Sequence, residues 1–436
     1  MGKNITIRCK NTGRSYRVPI GYNLEELYEM IDLDMPYGAT SAKVNNKVEG
    51  LHYMFFNDKD VEFLDITSQS GLRTYTRSLF FVLYKAVRDL YAGARLRIDT
   101  PVSNGYYCQL EIEGGVNPDV VGKLKHRMQE IVEAHMPFHR ITCPTDEAIS
   151  RFRTDGLSDK VRLLESLGSL YTTYYTLDDT ADYFYGSLLV NTSQIYLFDL
   201  VSFGDGLLLR LPDPSNPAEL RPMVEQPKMF EVFREQHRWN SILGVTTIGD
   251  FNQACDHGFT NDLINVSEAL QEKKISRIAD HIAASPDIKV ILIAGPSSSG
   301  KTTFSKRLSV QLMACGLKPV PISTDDYFVD REHTPRDEKG EYDFEHVEAM
   351  NIPLLTSQLN SLIHGEEVEP PRFDFETGRS LPSGRKCRLG EHDILIVEGI
   401  HALNPMLTEG VDDKHKFRIY ASALTSIMLD DHNYIP

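Results

Sequence analysis

Within the stretch VILIAGPSSSGKTT, which begins at Val290, the residues Gly295, Gly300, Lys301 and Thr302 stand in the spacing Gly-x-x-x-x-Gly-Lys-Thr. Those residue types at that spacing suit the cradling of a phosphate chain. The glycines let the backbone turn tightly, so that successive N–H groups point into one concavity. A lysine placed like Lys301 reaches the β/γ-phosphates, and a hydroxyl placed like Thr302 can ligate Mg²⁺. The expected nucleotide-binding set is therefore Gly295, Pro296, Ser297, Ser298, Ser299, Gly300, Lys301, Thr302 and Thr303. Three carboxylates further along could act with it: the pair Asp325-Asp326, and Glu398. The chemistry open to such a set is to hold a nucleotide, to split it, or to pass its phosphate to another molecule.

These groups converge only if the elements carrying them are arranged for it. VILIA is apolar and β-branched, as a buried strand should be, and an amphipathic helix follows. Phe304, Leu308 and Leu312 fall on one face of that helix, and Gly316 suits its C-terminal cap. The positive end of the helix adds to the phosphate site. A second strand, PVPIST, ends at Asp325-Asp326, and a third, DILIVEG, ends at Glu398-Gly399. Ligands of open α/β sheets bind outside the carboxyl ends of the strands, so both aspartates and Glu398 are expected to face the phosphate loop. Glu398 can meet Mg²⁺ there, directly or through water. An aspartate one strand over suits removal of a proton from an alcohol, which favours transfer over simple hydrolysis.

The remaining chain divides into zones. Residues 1–67 read as a small α+β unit: ITIRCK and SYRVPI form a hairpin around Asn11–Gly13, and Asn23 with Glu26 can box the start of the helix NLEELYEMI. Strands follow around the Asn45–Asn46 turn and at VEFLD, which suggests a β-grasp unit. Residues 68–250 are mixed α/β, with a strong helix at SLFFVLYKAVRDLYA and another at KLKHRMQEIVEAHM. QIYLFDLVSF and LLLRL read as strands, and the Pro-rich 211–222 as a loop or boundary. Residues 251–436 hold the phosphate loop. Other clusters are less promising. Pro137 breaks the helix that His135 and His139 would need to share a metal. DDTAD (178–182) reads as a polar turn, and YTTYYT (171–176) as strand core. Phe373 and Phe375 alternate onto one strand face and could line a pocket or a core.

Composition limits the setting. The formal net charge of −16 argues against broad coating of nucleic acid. Six dispersed cysteines fit a reducing cytoplasm and give no zinc ribbon or disulfide framework. No run approaches the ~18 apolar residues of a membrane span. The N-terminal MGKNIT fits a myristoylation pattern, but ITIRC alternates like a first strand, and that is the reading adopted.

Lys289 to Leu407 resembles the uridine kinase/phosphoribulokinase class of P-loop kinases, through GPSSSGKTT, ISTDDYF, YDFEHVEAMN, PPRFDFETGR and DILIVEGIHAL in family order. The resemblance implies Asp325 as catalytic base beside Lys301, and Thr302 with Glu398 at the metal. It implies Asp326, Tyr327, Glu345, Phe373 and Phe375 around the acceptor. Glu345 replaces the family's Asp, Phe373 its Tyr, and Gly378 a base-contacting His, which leaves the acceptor broader than uridine. The family continues past the position of Pro436 into an arginine-bearing lid, so either the chain is truncated there or its lid comes from elsewhere, and weak or no turnover is expected in this form. Residues 1–250 resemble the TGS and editing-like domains of threonyl-tRNA synthetase, through VSNGYYCQLEI and HRITCPTDEAISRF. Arg77, Phe81, Phe184 and Leu188 stand where that family's editing histidines and cysteine belong.

The expectation is an α/β protein: a C-terminal P-loop NTPase parallel sheet with flanking helices, preceded by a β-grasp TGS domain (1–67) and an α+β synthetase-like domain (68–250). Its expected activity is Mg²⁺-dependent transfer from ATP or GTP to a hydroxyl of a nucleoside or related sugar alcohol, in the cytoplasm and away from membranes. A homo-oligomer is compatible with this. The alternative is a regulatory protein that binds tRNA or another RNA, or a nucleotide, and only senses nucleotide at its phosphate loop; the acidic charge disfavours RNA.

Overall fold

The computed structural model describes residues 4–422 and 427–434. Cα packing divides it into two units, the first reaching Asn261 and including the C-terminal segment, the second running from Asp262 to Thr425. Among the described residues no helix is long and apolar enough to cross a membrane.

The first unit opens with a mixed five-stranded sheet. Strand Asn4–Cys9 pairs antiparallel with Arg14–Pro19 and parallel with Lys59–Leu64, the pattern of a β-grasp sheet. Its strict alternation buries Ile5, Ile7 and Cys9 against Leu24 and Leu27 of helix Leu24–Ile31. That helix starts at the boxed cap: Asn23 Oδ1 accepts from Glu26 N at 2.8 Å, and Glu26 Oε2 accepts from Asn23 N at 2.8 Å. The turn joining Ser41–Val44 to Lys47–Glu49 puts Asn45 and Asn46 at positive φ, as a tight hairpin requires.

Helix Gln69–Leu90 follows. Sequence periodicity gives it one apolar stripe, yet nearly every residue from Thr74 to Val87 is buried, because helix Pro118–Glu133 and strand Arg95–Val102 pack on different sides of it. The strand expected over QIYLFDLVSF is only Asp199–Phe203. The buried Tyr75 hydroxyl donates to Leu197 O at 2.7 Å and accepts from Leu197 N at 3.1 Å, taking both backbone groups a strand would have used. The Pro-rich 211–222 is no plain loop, since Pro212–Asp213 pairs with Asn216–Leu220.

The C-terminal segment enters this unit through a buried ion cluster. Lys160 Nζ lies 2.9 Å from Asp430, 3.1 Å from Asp182 and 3.5 Å from Asp159, all with almost no exposure. Burial works to lower the lysine pKa, and the three carboxylates outweigh it and raise it well above the usual value. His432 bridges Asp182 Oδ2 at 2.7 Å and Leu96 O at 3.2 Å. Arg95 meets Asp431 Oδ2 at 2.7 Å. DDTAD is thus a polar turn only at Asp178 and Asp179; Asp182 lies inside the protein.

The second unit is built on a parallel sheet ordered Lys318–Ser323, Asp393–Glu398, Val290–Ala294, Lys416–Tyr420. Its two central strands, Val290–Ala294 and Asp393–Glu398, are buried on both faces, which is why they read as continuous apolar runs. Val290, Leu292 and Ala294 point into one core with Leu355 and Leu359. Ile291 and Ile293 point into the other with Leu308, Leu312 and Ile275. The register sets Ile293 beside Glu398 and Ser323 beside Glu398, so three strands end level.

The Lys160 cluster yields a stability prediction. Lys160→Met leaves three desolvated carboxylates without their cation and should cost about 3–5 kcal/mol. Urea unfolding of the full chain should show the loss as a lower midpoint; an unchanged midpoint would mean that the carboxylates do not depend on the lysine.

Candidate active site

The phosphate loop leaves the central strand at Ala294 and enters helix Lys301–Ala314 at Gly300. Gly300 sits at φ +83°, where an L side chain is strained. Gly295 is required for space, since a Cβ there would run into the carbonyl oxygen of Ala421 and come 2.7 Å from Ser299 Oγ. Ser298 also has positive φ. The loop backbone therefore curls as an anion cradle over the positive end of the helix. Lys301 Nζ donates to Pro296 O at 2.8 Å, folded across the loop it serves.

Level strand ends bring the carboxylates to this loop. Thr302 Oγ1 donates to Glu398 Oε1 at 3.1 Å. The other oxygen, Glu398 Oε2, is buried without a partner, as is Ser299 Oγ. An orphaned carboxylate oxygen joined to a threonine hydroxyl beside a phosphate cradle is a fitting donor set for Mg²⁺, a hard cation that takes oxygen ligands. Gly399 follows Glu398 closely enough to Thr324 that any Cβ would overlap the Thr324 hydroxyl.

Asp325 sits in a short 3-10 turn, Thr324–Tyr327, capped by Ser323 Oγ, which accepts from Asp325 N at 3.3 Å. The residue is open to solvent, but its carboxyl is crowded by protein. Burial raises its pKa above the ordinary aspartate value, Lys301 pulls it back, and Asp326 adds to the rise. Asp326 is raised by burial too, but the groups that favour its charge are the Phe373 N–H and Arg372. The two aspartates therefore answer to different neighbours, and only Asp325 lies in the field of the phosphate lysine.

The expected acceptor residues divide. Tyr327 is 1% exposed and its hydroxyl donates to Gln358 Oε1 at 2.8 Å. It is a core residue that anchors the aspartate turn, which corrects its reading as a substrate contact. Phe373 is buried and Phe375 is 61% exposed. Their rings meet edge-on at 5.1 Å, and Phe328 packs 5.5 Å from Phe373. Phe375 lies just beyond the strand Pro371–Asp374, so the two do not share a strand face by alternation alone. Phe373 is the base of an aromatic wall, and Phe375 is its open surface. Glu345 is exposed, and its carbonyl accepts from His401 Nε2 at 2.7 Å, tying the Glu345 segment to the loop after Glu398. His401 and Arg331 were not singled out from sequence. Arg331 donates to Phe375 O at 2.7 Å, and a Cβ on Gly378 would come 2.7 Å from its Nε. Only the structure shows that Arg331 fills the space beside Gly378.

In the first unit, Phe81 lies 5.3 Å from Phe184 and 5.9 Å from Phe138, and Leu188 is fully buried. Phe81, Phe184 and Leu188 thus belong to an apolar core, and Arg77 is the polar residue of the four.

Comparison with known proteins matches these parts separately. Residues 290–430 match the Phosphoribulokinase / Uridine kinase family. The N-terminal region is similar to threonine–tRNA ligases. That of Acetivibrio thermocellus is 27% identical over 183 residues, 42% of this chain and 29% of the ligase. That of Syntrophotalea carbinolica is 31% identical over 166 residues, 38% and 26% respectively. The chain thus spans less than a third of the length of these curated relatives. Among solved structures, a possible uridine kinase from Bacillus stearothermophilus is 28% identical with a TM-score of 0.26, covering 30% of this chain and 70% of that one. The D-glycerate 3-kinase of Cryptococcus neoformans is 17% identical with a TM-score of 0.21, covering 29% and 52%. This chain carries a domain of the phosphoribulokinase/uridine kinase family, behind a region related to the threonine–tRNA ligases.

Proposed function

We propose that the C-terminal unit transfers the terminal phosphoryl group of ATP or GTP to a hydroxyl of a nucleoside or related sugar alcohol. The observation that carries this reading is the position of Asp325. Its carboxyl lies within the field of Lys301 at the level strand ends, and burial raises its pKa, as suits a general base. A protein that only holds nucleotide has no use for such a base.

The loop amides and Lys301 bind the β/γ-phosphates. Thr302 and Glu398 would hold Mg²⁺, which when bound neutralises charge on the phosphates. Asp325 accepts the proton of the acceptor hydroxyl as its oxygen bonds to the γ-phosphorus. The bond from that phosphorus to the β–γ bridging oxygen breaks, and the nucleoside diphosphate leaves. Asp326, Glu345, Phe373 and Phe375 shape the acceptor side, with Phe375 offering an exposed ring to a planar or sugar face. Tyr327 holds the aspartate turn in place. The domain divisions at 67 and 250 belong to the same proposal, with the N-terminal regions supplying binding rather than hydrolysis. A nucleotide sensor would instead bind nucleotide with no response to any acceptor.

Asp325→Asn should leave nucleotide affinity unchanged and lower transfer by about 10²–10⁴-fold, the usual range for a general base. Calorimetry and a coupled ADP assay read the two effects, and undiminished transfer would remove Asp325 from the mechanism. Because the base works only when ionised and its pKa is raised, kcat/KM should fall as pH drops, with a midpoint above the ordinary aspartate value of about 3.9. Glu398→Gln should raise the Mg²⁺ concentration needed for half-maximal activity by about 10–100-fold, and an unshifted Mg²⁺ titration would place the metal elsewhere.

A further inference from the structure

The first unit contains a second cavity with a chemistry of its own, apart from the phosphate loop. It has a volume of about 940 Å³, in the range of small-molecule sites. Arg73, Arg77, Arg140 and Lys47 line it, and the sole acid among its lining residues is Glu49. Lys47 takes Glu49 for itself at 2.7 Å. Among the described residues, none of the three arginines makes an ion pair. Arg77 donates from Nε to Ser187 O at 3.1 Å and contacts Thr74 Oγ1 at 3.4 Å, both neutral partners. Arg140 contacts Thr173 Oγ1 at 3.5 Å. Burial lowers the Arg77 pKa to about 10, with Tyr175 opposing and Arg73 adding to the fall.

This arrangement is costly without a ligand. A desolvated guanidinium with no anion is unfavourable, and neighbouring cations make it more so. Acids are not scarce in a chain with 62 Asp and Glu against 46 Lys and Arg. Elsewhere the same unit supplies them: Lys85 meets Asp89, Asp178 and Asp179, and Lys160 meets three aspartates. Space is also kept for the half-buried guanidinium, since a Cβ on Gly186 would come 2.7 Å from Arg77 Cζ. His52 Nε2, on the same wall, is buried with no partner. Aromatic rings form part of the remaining lining. Tyr171 and Tyr185 are 68% and 75% exposed, presenting ring faces to a planar group. The Tyr185 wall is fixed by the C-terminal segment: Asn433 Oδ1 accepts from Tyr185 N at 3.0 Å, and Asn433 Nδ2 donates to Tyr183 O at 2.8 Å.

We infer that this cavity binds a small organic phosphate, its phosphate held by Arg73, Arg77 and Arg140 and its planar part against the tyrosines. Guanidinium forks match phosphate oxygens two at a time.

The test is equilibrium binding of two probes, inorganic pyrophosphate and adenosine 5′-monophosphate, to the full chain without Mg²⁺. The Lys301→Ala variant removes the lysine of the phosphate loop as a competing site. Saturable binding should persist in Lys301→Ala, should be tighter for the monophosphate than for pyrophosphate, and should weaken at least about tenfold in Arg73→Glu/Arg140→Glu. Both of those arginines are exposed, so the double variant should fold, and its melting curve checks this. Arg77→Lys should weaken binding as well, because a point charge cannot replace the fork. Neither probe binding up to about 10 mM, or binding that survives the Arg73/Arg140 replacement, would overturn the inference.

Discussion

Three parallel strands end level because their hydrogen-bond register pairs Ile293 and Ser323 with the same residue, Glu398. The phosphate loop begins one residue past Ala294, the aspartate turn one residue past Ser323, and Glu398 stands at the end of the strand between them. A slip of one residue in either pairing would turn the apolar side chains of the strand to the wrong face of the sheet. Val290, Leu292 and Ala294 pack in one core and Ile291 and Ile293 in the other, so such a slip would exchange the two sets and disrupt the packing of both. The geometry of the site is thus a consequence of hydrophobic patterning some distance from any phosphate.

The close approaches in the site follow from this. Glycine is needed at 295, where the carbonyl of Ala421 closes in, and at 399, where the Thr324 hydroxyl does. The site also leaves specific atoms unsatisfied. Glu398 Oε2 and Ser299 Oγ are buried without partners beside a loop whose lysine bonds the loop's own backbone. Such orphaned groups are unfavourable for the folded chain alone and would be compensated by a bound nucleotide and metal. The first unit shows the same feature in Arg77, a half-buried cation with no anion beside it among the described residues. Elsewhere in that unit a fully buried cation, Lys160, is enclosed by carboxylates, so a missing partner is a local property of the cavity.

Much of this was legible in the sequence. The phosphate-loop spacing, the strands that precede it and the strand ending at Glu398 are local signals, and periodicity reports them directly. The Asn23–Glu26 cap is equally local. What escaped depends on contacts between distant segments. Burial of Tyr327 follows from its hydroxyl meeting Gln358, 31 residues away. The shortened strand at 199–203 follows from Tyr75 bonding Leu197, 122 residues away. The Lys160 cluster joins residues up to 270 apart, and nothing near Asp182 or Asp430 marks either as internal. The roles of Arg331 and His401 arise the same way, from contacts 44 and 56 residues apart in sequence. Pattern rules assign charged residues to the surface, so they miss those that the fold pairs inside.

The central claim is that the phosphate is handed on. It is tested most directly by incubating the protein with γ-labelled ATP or GTP, Mg²⁺ and a panel of nucleosides and sugar alcohols, and following the label. The account predicts that the label moves to the hydroxyl of one class of acceptor and that nucleoside diphosphate release rises with acceptor concentration. Tight nucleotide binding with label that stays in place, or passes only to water whatever alcohol is present, would contradict it.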